Sequence, residues 1–183
     1  HQGDFRLTPN QNLIIANVTP KAKSRIEAIL KGAGVVLDTS SGMRRNSMAC
    51  VALPTCGLAL AESERFLPDL IGALEDSLEA AGLRDDEIVV RMTGCPNGCA
   101  RPYNCDVGLM GKAKGKYTVL VGGRLLGDRL NFIYQDMVPE ADVVKSLVPV
   151  FTYFKQDRLE GETLGDFCVR KGKDELLAYA QGL

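Results

Sequence analysis

The sequence predicts an α/β fold of the α+β kind, a mixed sheet with helices. Three observations point there. Short runs rich in β-branched and aliphatic residues, at 13–18, 88–92, 107–111 and 117–121, have the length and composition of strands. Between and after them, segments 21–31, 68–82 and 139–155 place apolar residues at helical spacing. Two glycine- and proline-rich loops carry cysteine pairs, and the second directly follows the run at 88–92. A loop at the C-terminal end of a strand is a common place for a site in an α/β sheet.

Taken in order, residues 4–18 read as two short strands around the turn Pro9-Asn10-Gln11-Asn12. Thr19-Pro20 opens a helix over 21–31, with Thr19 as cap, Pro20 in the first turn and Ile26, Ile29 and Leu30 as the apolar stripe. Gly32 and Gly34 stop it. A hairpin plus one helix cannot bury its own face well, so residues 1–37 read as the remnant of a larger domain and 38–183 as a second domain. Residues 38–48 are polar and loop-like. After Cys56 the pattern turns helical around Leu58, Leu60 and Ala61, then a helix from Pro68 runs through Leu70, Ile71, Leu74 and Leu78 to Gly82. The run at 88–92 is a buried strand. Runs 107–111 and 117–121 form a strand pair joined by a basic turn, Lys112 to Lys116. Residues 139–155 form a helix with Val143, Val144, Leu147 and Val150 inward. Residues 161–167 form a turn capped by Thr163 or Asp166, and 173–179 a short final helix.

Composition narrows the possibilities. At 183 residues the chain allows one domain or a little more, and 45% hydrophobic with 25% charged residues suits a packed core. A net charge of −1 gives no whole-chain basis for binding nucleic acid or an anionic membrane. No apolar run approaches the length of a spanning helix, and His1 to Phe5 show neither charged head nor apolar run of a signal peptide. Six cysteines here point to a reducing compartment and to metal or cluster ligation. The expected location is cytoplasmic, or a plastid in a plant or alga. His1 is the sole histidine, so no Ser/His/Asp or Cys/His catalytic arrangement has an interior base. No glycine-rich nucleotide motif appears.

The cysteines carry the chemistry. Cys50 and Cys56 form a C-x5-C pair and Cys95 and Cys99 a C-x3-C pair, with 38 residues between the pairs. Four thiolates are what an iron–sulfur cube requires, one per iron. Gly57, Gly94 and Gly98 adjoin cysteines, and such loops can turn N–H groups toward sulfur. Two other readings stand beside this one. Free cysteines also serve as small buried hydrophobes, and zinc takes four thiolates, although C-x5-C is wide for its ligand pairs.

The run Asn46-Ser47-Met48-Ala49-Cys50-Val51-Ala52-Leu53-Pro54-Thr55-Cys56, followed by Thr93-Gly94-Cys95-Pro96-Asn97-Gly98-Cys99, closely resembles the C-terminal third of assimilatory sulfite reductase hemoproteins. These are siroheme members of the sulfite/nitrite reductase family. The resemblance extends from Gly3-Asp4-Phe5-Arg6-Leu7 to Gly165-Asp166-Phe167, essentially the whole chain. It implies the C-terminal 4Fe–4S/siroheme domain preceded by the tail of a ferredoxin-like repeat. It implies a 4Fe–4S cluster on Cys50, Cys56, Cys95 and Cys99, and siroheme whose iron shares the Cys99 sulfur as axial ligand. The activity implied is six-electron reduction of sulfite to sulfide, within sulfate assimilation and cysteine biosynthesis. Family members are roughly three times longer, so the chain is expected to be a fragment that holds at most the cluster and lacks the upstream cations for sulfite.

Ferredoxin–nitrite reductase shares the cofactors, but Ala52-Leu53-Pro54-Thr55-Cys56-Gly57-Leu58-Ala59 looks like the sulfite branch. A cluster-only electron-transfer module and a non-catalytic zinc-bound structural module remain as alternatives. The electron donor implied is ferredoxin or a flavoprotein. Arg101-Pro102-Tyr103 and Lys116-Tyr117-Thr118-Val119-Leu120-Val121-Gly122-Gly123 look more like ferredoxin-linked members. Asn97 and Gly98 read equally as a turn pair or as backbone facing the cofactor. Arg44, Arg45, Arg91 and Arg101 are by default a solvated face. Toward siroheme they would pair its carboxylates, Arg101 being best placed. Lys112, Lys114 and Lys116 read as an exposed turn or as a docking spot for an acidic donor. Cys105 and Cys168 read as packing thiols.

Overall fold

The computed structural model describes residues 3–35 and 41–182, and the chain divides into two compact units, 1–40 and 41–183. The boundary expected at 37/38 lies outside the described residues.

In the first unit, β1 (Asp4–Leu7) pairs antiparallel with β2 (Leu13–Ala16), as the turn between them predicts. Helix α1 (Pro20–Gly32) follows. Thr19 caps it, its Oγ1 accepting from the Ala22 N–H at 3.3 Å. No residue of α1 is buried, and Phe5, Leu7, Leu13, Ile14 and Ile29 are exposed. The unit does not cover its own apolar face.

The second unit holds α2 (Gly42–Asn46), β3 (Met48–Ala49), α3 (Leu67–Ala80), β4 (Val90–Thr93), β5 (Val107–Ala113), β6 (Lys116–Val121) and β7 (Phe132–Pro139). A 3₁₀ turn (Glu140–Asp142), α4 (Val143–Asp157) and α5 (Leu164–Gln181) follow. The five strands lie in chain order in one sheet. β3, β4 and β5 are parallel, and β6 and β7 run antiparallel. The mixed sheet is therefore as predicted. Leu74 and Leu78 of α3, Leu147 and Phe151 of α4 and Phe167 of α5 share one core with Met92, Leu109, Tyr117 and Val119 of the sheet. The register lines up Met48, Arg91, Gly108 and Leu120 across neighbouring strands. Side chains alternate along a strand, so this row faces away from the Met92, Leu109, Val119 row.

Four expectations change. Within the loop expected over 38–48, residues 42–46 form a helix capped by Ser41, whose Oγ accepts from the Arg44 N–H, and Met48–Ala49 joins the sheet. Residues 57–66 make turns instead of a helix, because the Leu60 and Ala61 N–H groups donate to the Gly94 carbonyl rather than to their own chain. Strand β7 was unforeseen. Register shifts against β6 and a positive φ at Met137 break its period. Helix α5 begins at Leu164 behind Thr163, whose Oγ1 accepts from the Asp166 N–H at 3.1 Å. The backbone of Gly172 is non-helical, so the expected final helix is only the second half of this element.

Candidate metal centre

Parallel pairing sets the site. Ala49 of β3 lies opposite Met92 of β4, so Cys50 and Cys95 leave the C-terminal ends of adjacent strands. The Cys50 N–H extends the ladder, donating to the Met92 carbonyl at 3.1 Å. From the other loop, the Gly94 N–H donates to the Cys50 Sγ at 3.3 Å. Residues 44 positions apart are thereby joined at a sulfur.

Gly94 also holds the far end of the first loop. Its carbonyl accepts from the Leu60 and Ala61 N–H groups at 2.8 and 3.0 Å. Between these anchors the Cys56 N–H donates to the Ala52 carbonyl at 2.7 Å, and the Ala59 N–H to the Cys56 carbonyl at 3.1 Å. A Cβ on Gly94 would stand 2.6 Å from both the Ala52 Cβ and the Ala61 oxygen. Only glycine fits. A Cβ on Gly111 of β5 would likewise collide with the Gly94 carbonyl. Sequence reasoning passed over Gly111, although a strand glycine often marks such a close approach.

The second loop turns tightly. The Arg101 N–H donates to the Gly98 carbonyl at 2.7 Å, and Gly98 has a φ of 69°. The Tyr103 ring fills the space where a Gly98 side chain would sit. Its hydroxyl donates to the Pro96 carbonyl at 2.7 Å and lies 3.2 Å from the Met110 Sδ. Burial, and then the neighbouring Cys95, raise the Tyr103 hydroxyl above its ordinary pKa, so it stays protonated and donating. Tyr103 is a supporting residue the sequence reading missed. Downstream of the loop, residues 101–104 contact the second face of the sheet. Arg101 approaches the Met48 Sδ at 3.8 Å, and the Asn104 Oδ1 accepts from Arg91 at 2.8 Å.

The four expected ligands differ in access. Cys95 is buried, Cys50 and Cys56 are half-buried, Cys99 is exposed, and none is in a disulfide. Asn97 is exposed and Gly98 half-buried within the same loop. Cys105 is fully buried, its Sγ within 3.3 Å of the Pro102 and Val107 carbonyls, and burial pushes its thiol up to about 12. Cys168 is fully buried, with its thiol also pushed up by burial. Both are packing thiols, as expected.

The four arginines differ in their surroundings. Arg44 pairs with Glu75 at 2.7 Å, and Arg45 approaches Glu87 at 3.9 Å. Arg91 is 1% exposed, and burial, then Arg101, lower its pKa. These three are engaged within the protein. Arg44, Arg45 and Arg101 are all exposed, and Arg101 lies two residues past Cys99 with a φ of 55°.

Among the described residues, no three His, Cys, Asp or Glu side chains form a group that could hold one metal ion. A zinc module would need four sulfurs about 2.3 Å from a single point. A cube gives each thiolate its own iron and spreads the sulfurs wider. The donor set fits the cube: four unpaired thiols on two glycine-shaped loops, with a backbone N–H already directed at one sulfur. No helix among the described residues is long and apolar enough to cross a membrane.

The profile of the family described as nitrite and sulphite reductase 4Fe-4S domain matches residues 41–181. The sulfite reductase [NADPH] hemoprotein beta-component of Staphylococcus saprophyticus is 56% identical over 173 residues, covering 94% of this chain and 30% of that protein. The protein of the same name from Afipia carboxidovorans is 53% identical with the same coverage. The chain thus spans about a third of the length of these relatives. The structure of the Mycobacterium tuberculosis NirA protein superposes with a TM-score of 0.80 at 30% identity, over 94% of this chain and 33% of that one. A dissimilatory sulfite reductase I structure shares the fold at 13% identity, with a TM-score of 0.66 over 89% of this chain and 58% of that one.

Proposed function

Because this chain belongs to the nitrite and sulphite reductase 4Fe-4S domain family, we propose that it is the cluster- and siroheme-binding portion of a sulfite reductase hemoprotein. Its cofactors are a 4Fe–4S cluster and siroheme. When bound, these supply one-electron storage and the reducing iron for sulfite. The chain supplies placement.

In this reading Cys50, Cys56, Cys95 and Cys99 are the four cluster ligands. The observation that carries it is the Gly94 hub, which accepts from one end of the first cysteine loop and donates to the sulfur at the other. A directed N–H lowers the cost of a negative sulfur in a half-buried site. The exposure of Cys99, against burial of Cys95, favours Cys99 as the sulfur shared with the siroheme iron. Asn97 and Gly98 offer backbone to the cofactor, and Arg101 a guanidinium to siroheme carboxylates. Residues 1–37 would be the tail of a ferredoxin-like half-domain and 38–183 the cofactor domain.

Relatives named for NADPH favour a donor chain that begins at NADPH and passes through a flavoprotein. The ferredoxin donor expected from residues 101–103 and 116–123 gains no support from them. Sulfite is the substrate proposed for the longer protein. The isolated chain would hold the cluster without turning sulfite over.

A chimera tests this. The matching 30% of the Staphylococcus saprophyticus hemoprotein is replaced by this chain and fed electrons from reduced methyl viologen. Sulfite reduction to sulfide that is lost in Cys99→Ser supports the reading. A folded, iron-loaded chimera that reduces nitrite but not sulfite would contradict it.

A further inference from the structure

A guanidinium lies buried at the root of both cysteine loops. Arg91 of β4 pairs in register with Met48 of β3 and Gly108 of β5, on the sheet face away from the helices. Met48 stands two residues before Cys50, and Arg91 four before Cys95. Residues 101–105, which follow Cys99, lie against this same face. A Cβ on Gly108 would stand 1.9 Å from the Pro102 carbonyl oxygen, and Asn131 donates to that oxygen at 2.7 Å. Arg91 completes the attachment, its Nη1 donating to the Asn104 Oδ1 at 2.8 Å and to the Asn104 carbonyl at 3.3 Å. Only 1% of Arg91 is exposed. Arg101, Cys105 and Asp106 are the ionisable groups that act on it. Burial keeps the Cys105 thiol protonated, and Asp106 gives its two oxygens to the Val89 and Gly165 N–H groups. Two guanidiniums against one carboxyl leave the place net basic.

We infer that Arg91 sets the cluster's reduction potential, its buried positive charge favouring the reduced state, an inference that rests on the proposed cofactor reading. Reduction brings one electron from a donor, and so one negative charge, to the cube and moves no atom. A guanidinium keeps its proton in proteins, so the cation is present in both redox states. Out of water its field is screened little, and local charge is among the factors that set a cluster's potential. The Asn104 bonds hold the guanidinium and the loop after Cys99 in one arrangement. Arg91 is thus a positioning residue whose charge reaches the cube through space.

The test uses the whole chain loaded anaerobically with its cluster and titrated with dithionite in the presence of redox dyes. Absorbance and the electron spin resonance of the reduced cluster give the midpoint potential. Arg91→Gln keeps an amide donor and removes the charge. It should lower the equilibrium constant for reduction at least about tenfold, a shift of about 59 mV to the negative for one electron. Asn104→Ala removes the Oδ1 acceptor and keeps the cation, so its constant should stay within about twofold of the parent's. An unchanged midpoint in Arg91→Gln, or an equal shift in Asn104→Ala, overturns the inference. If Arg91→Gln takes up no iron, Arg91→Lys replaces it. Its midpoint should fall relative to the parent's between pH 7 and pH 9.5, as the buried ammonium loses its proton, and a midpoint that tracks the parent throughout overturns the inference. A parent chain that takes up no iron instead fails the cofactor reading itself, before any potential is measured.

Discussion

The backbone N–H of Gly94 points at the Sγ of Cys50, 3.3 Å away and 44 residues earlier in the chain. That one contact ties the loop after β3 to the loop after β4, and the Gly94 carbonyl closes the first loop at Leu60 and Ala61. Strand pairing plus a glycine thus hold the two cysteine loops side by side.

Gly94→Ala should therefore harm stability and cluster uptake together. Its Cβ would meet the Ala52 Cβ and the Ala61 oxygen at 2.6 Å, and loop backbone must shift to admit it. We expect a loss of about 1–3 kcal/mol in urea unfolding, with iron per chain falling well below the parent value.

The six thiols should separate into two groups. Alanine at Cys50, Cys56, Cys95 or Cys99 should abolish the full cluster spectrum. Alanine at Cys105 or Cys168 should leave it intact and cost about 1 kcal/mol of stability through the cavity left in the core. Absorbance and iron analysis of the six variants decide this.

Tyr103→Phe removes the hydroxyl that donates to the Pro96 carbonyl and leaves the ring against Gly98. The chain should fold and take up iron normally. Its second cysteine loop should loosen, and iron should leave to a chelator a few-fold faster. Tyr103→Ala should release it faster still, since the ring support goes too.

Much of this was legible in the residues. Thr19 and Pro20 announced α1, the glycines and prolines marked both cysteine loops, and the basic turn at 112–116 announced a hairpin. What escaped was set by distant partners. Residues 57–66 lose helical order to the Gly94 carbonyl, which no local pattern reveals. β7 is hidden by its irregular register, and Gly161 with Gly165 disguised the start of α5. Arg91 looked like a surface cation, yet Asn104 accepts from it beneath the second cysteine loop.

The acid limb of stability should depend on Asp166. Hydrogen bonds from Arg124 and Arg129 hold its carboxyl down to about 2. A carboxyl lowered on folding stabilises above its unfolded pKa, near 3.8, and loses that stabilisation as pH falls toward 2. Asp166→Asn should lower stability at pH 7 by about 1–2 kcal/mol, the site being partly exposed. It should also flatten the unfolding profile between pH 4 and 2. Urea titrations across that range check the sign.

The most direct test is an elemental count. Anaerobic reconstitution of the 183-residue chain with iron and sulfide, followed by desalting, should leave about four irons and four acid-labile sulfides per chain. All of it should vanish when Cys50 and Cys95 are both replaced by serine. A colourless chain carrying one zinc and no labile sulfide, or a cluster that survives the double replacement, would contradict the convergence of these two loops on one cube.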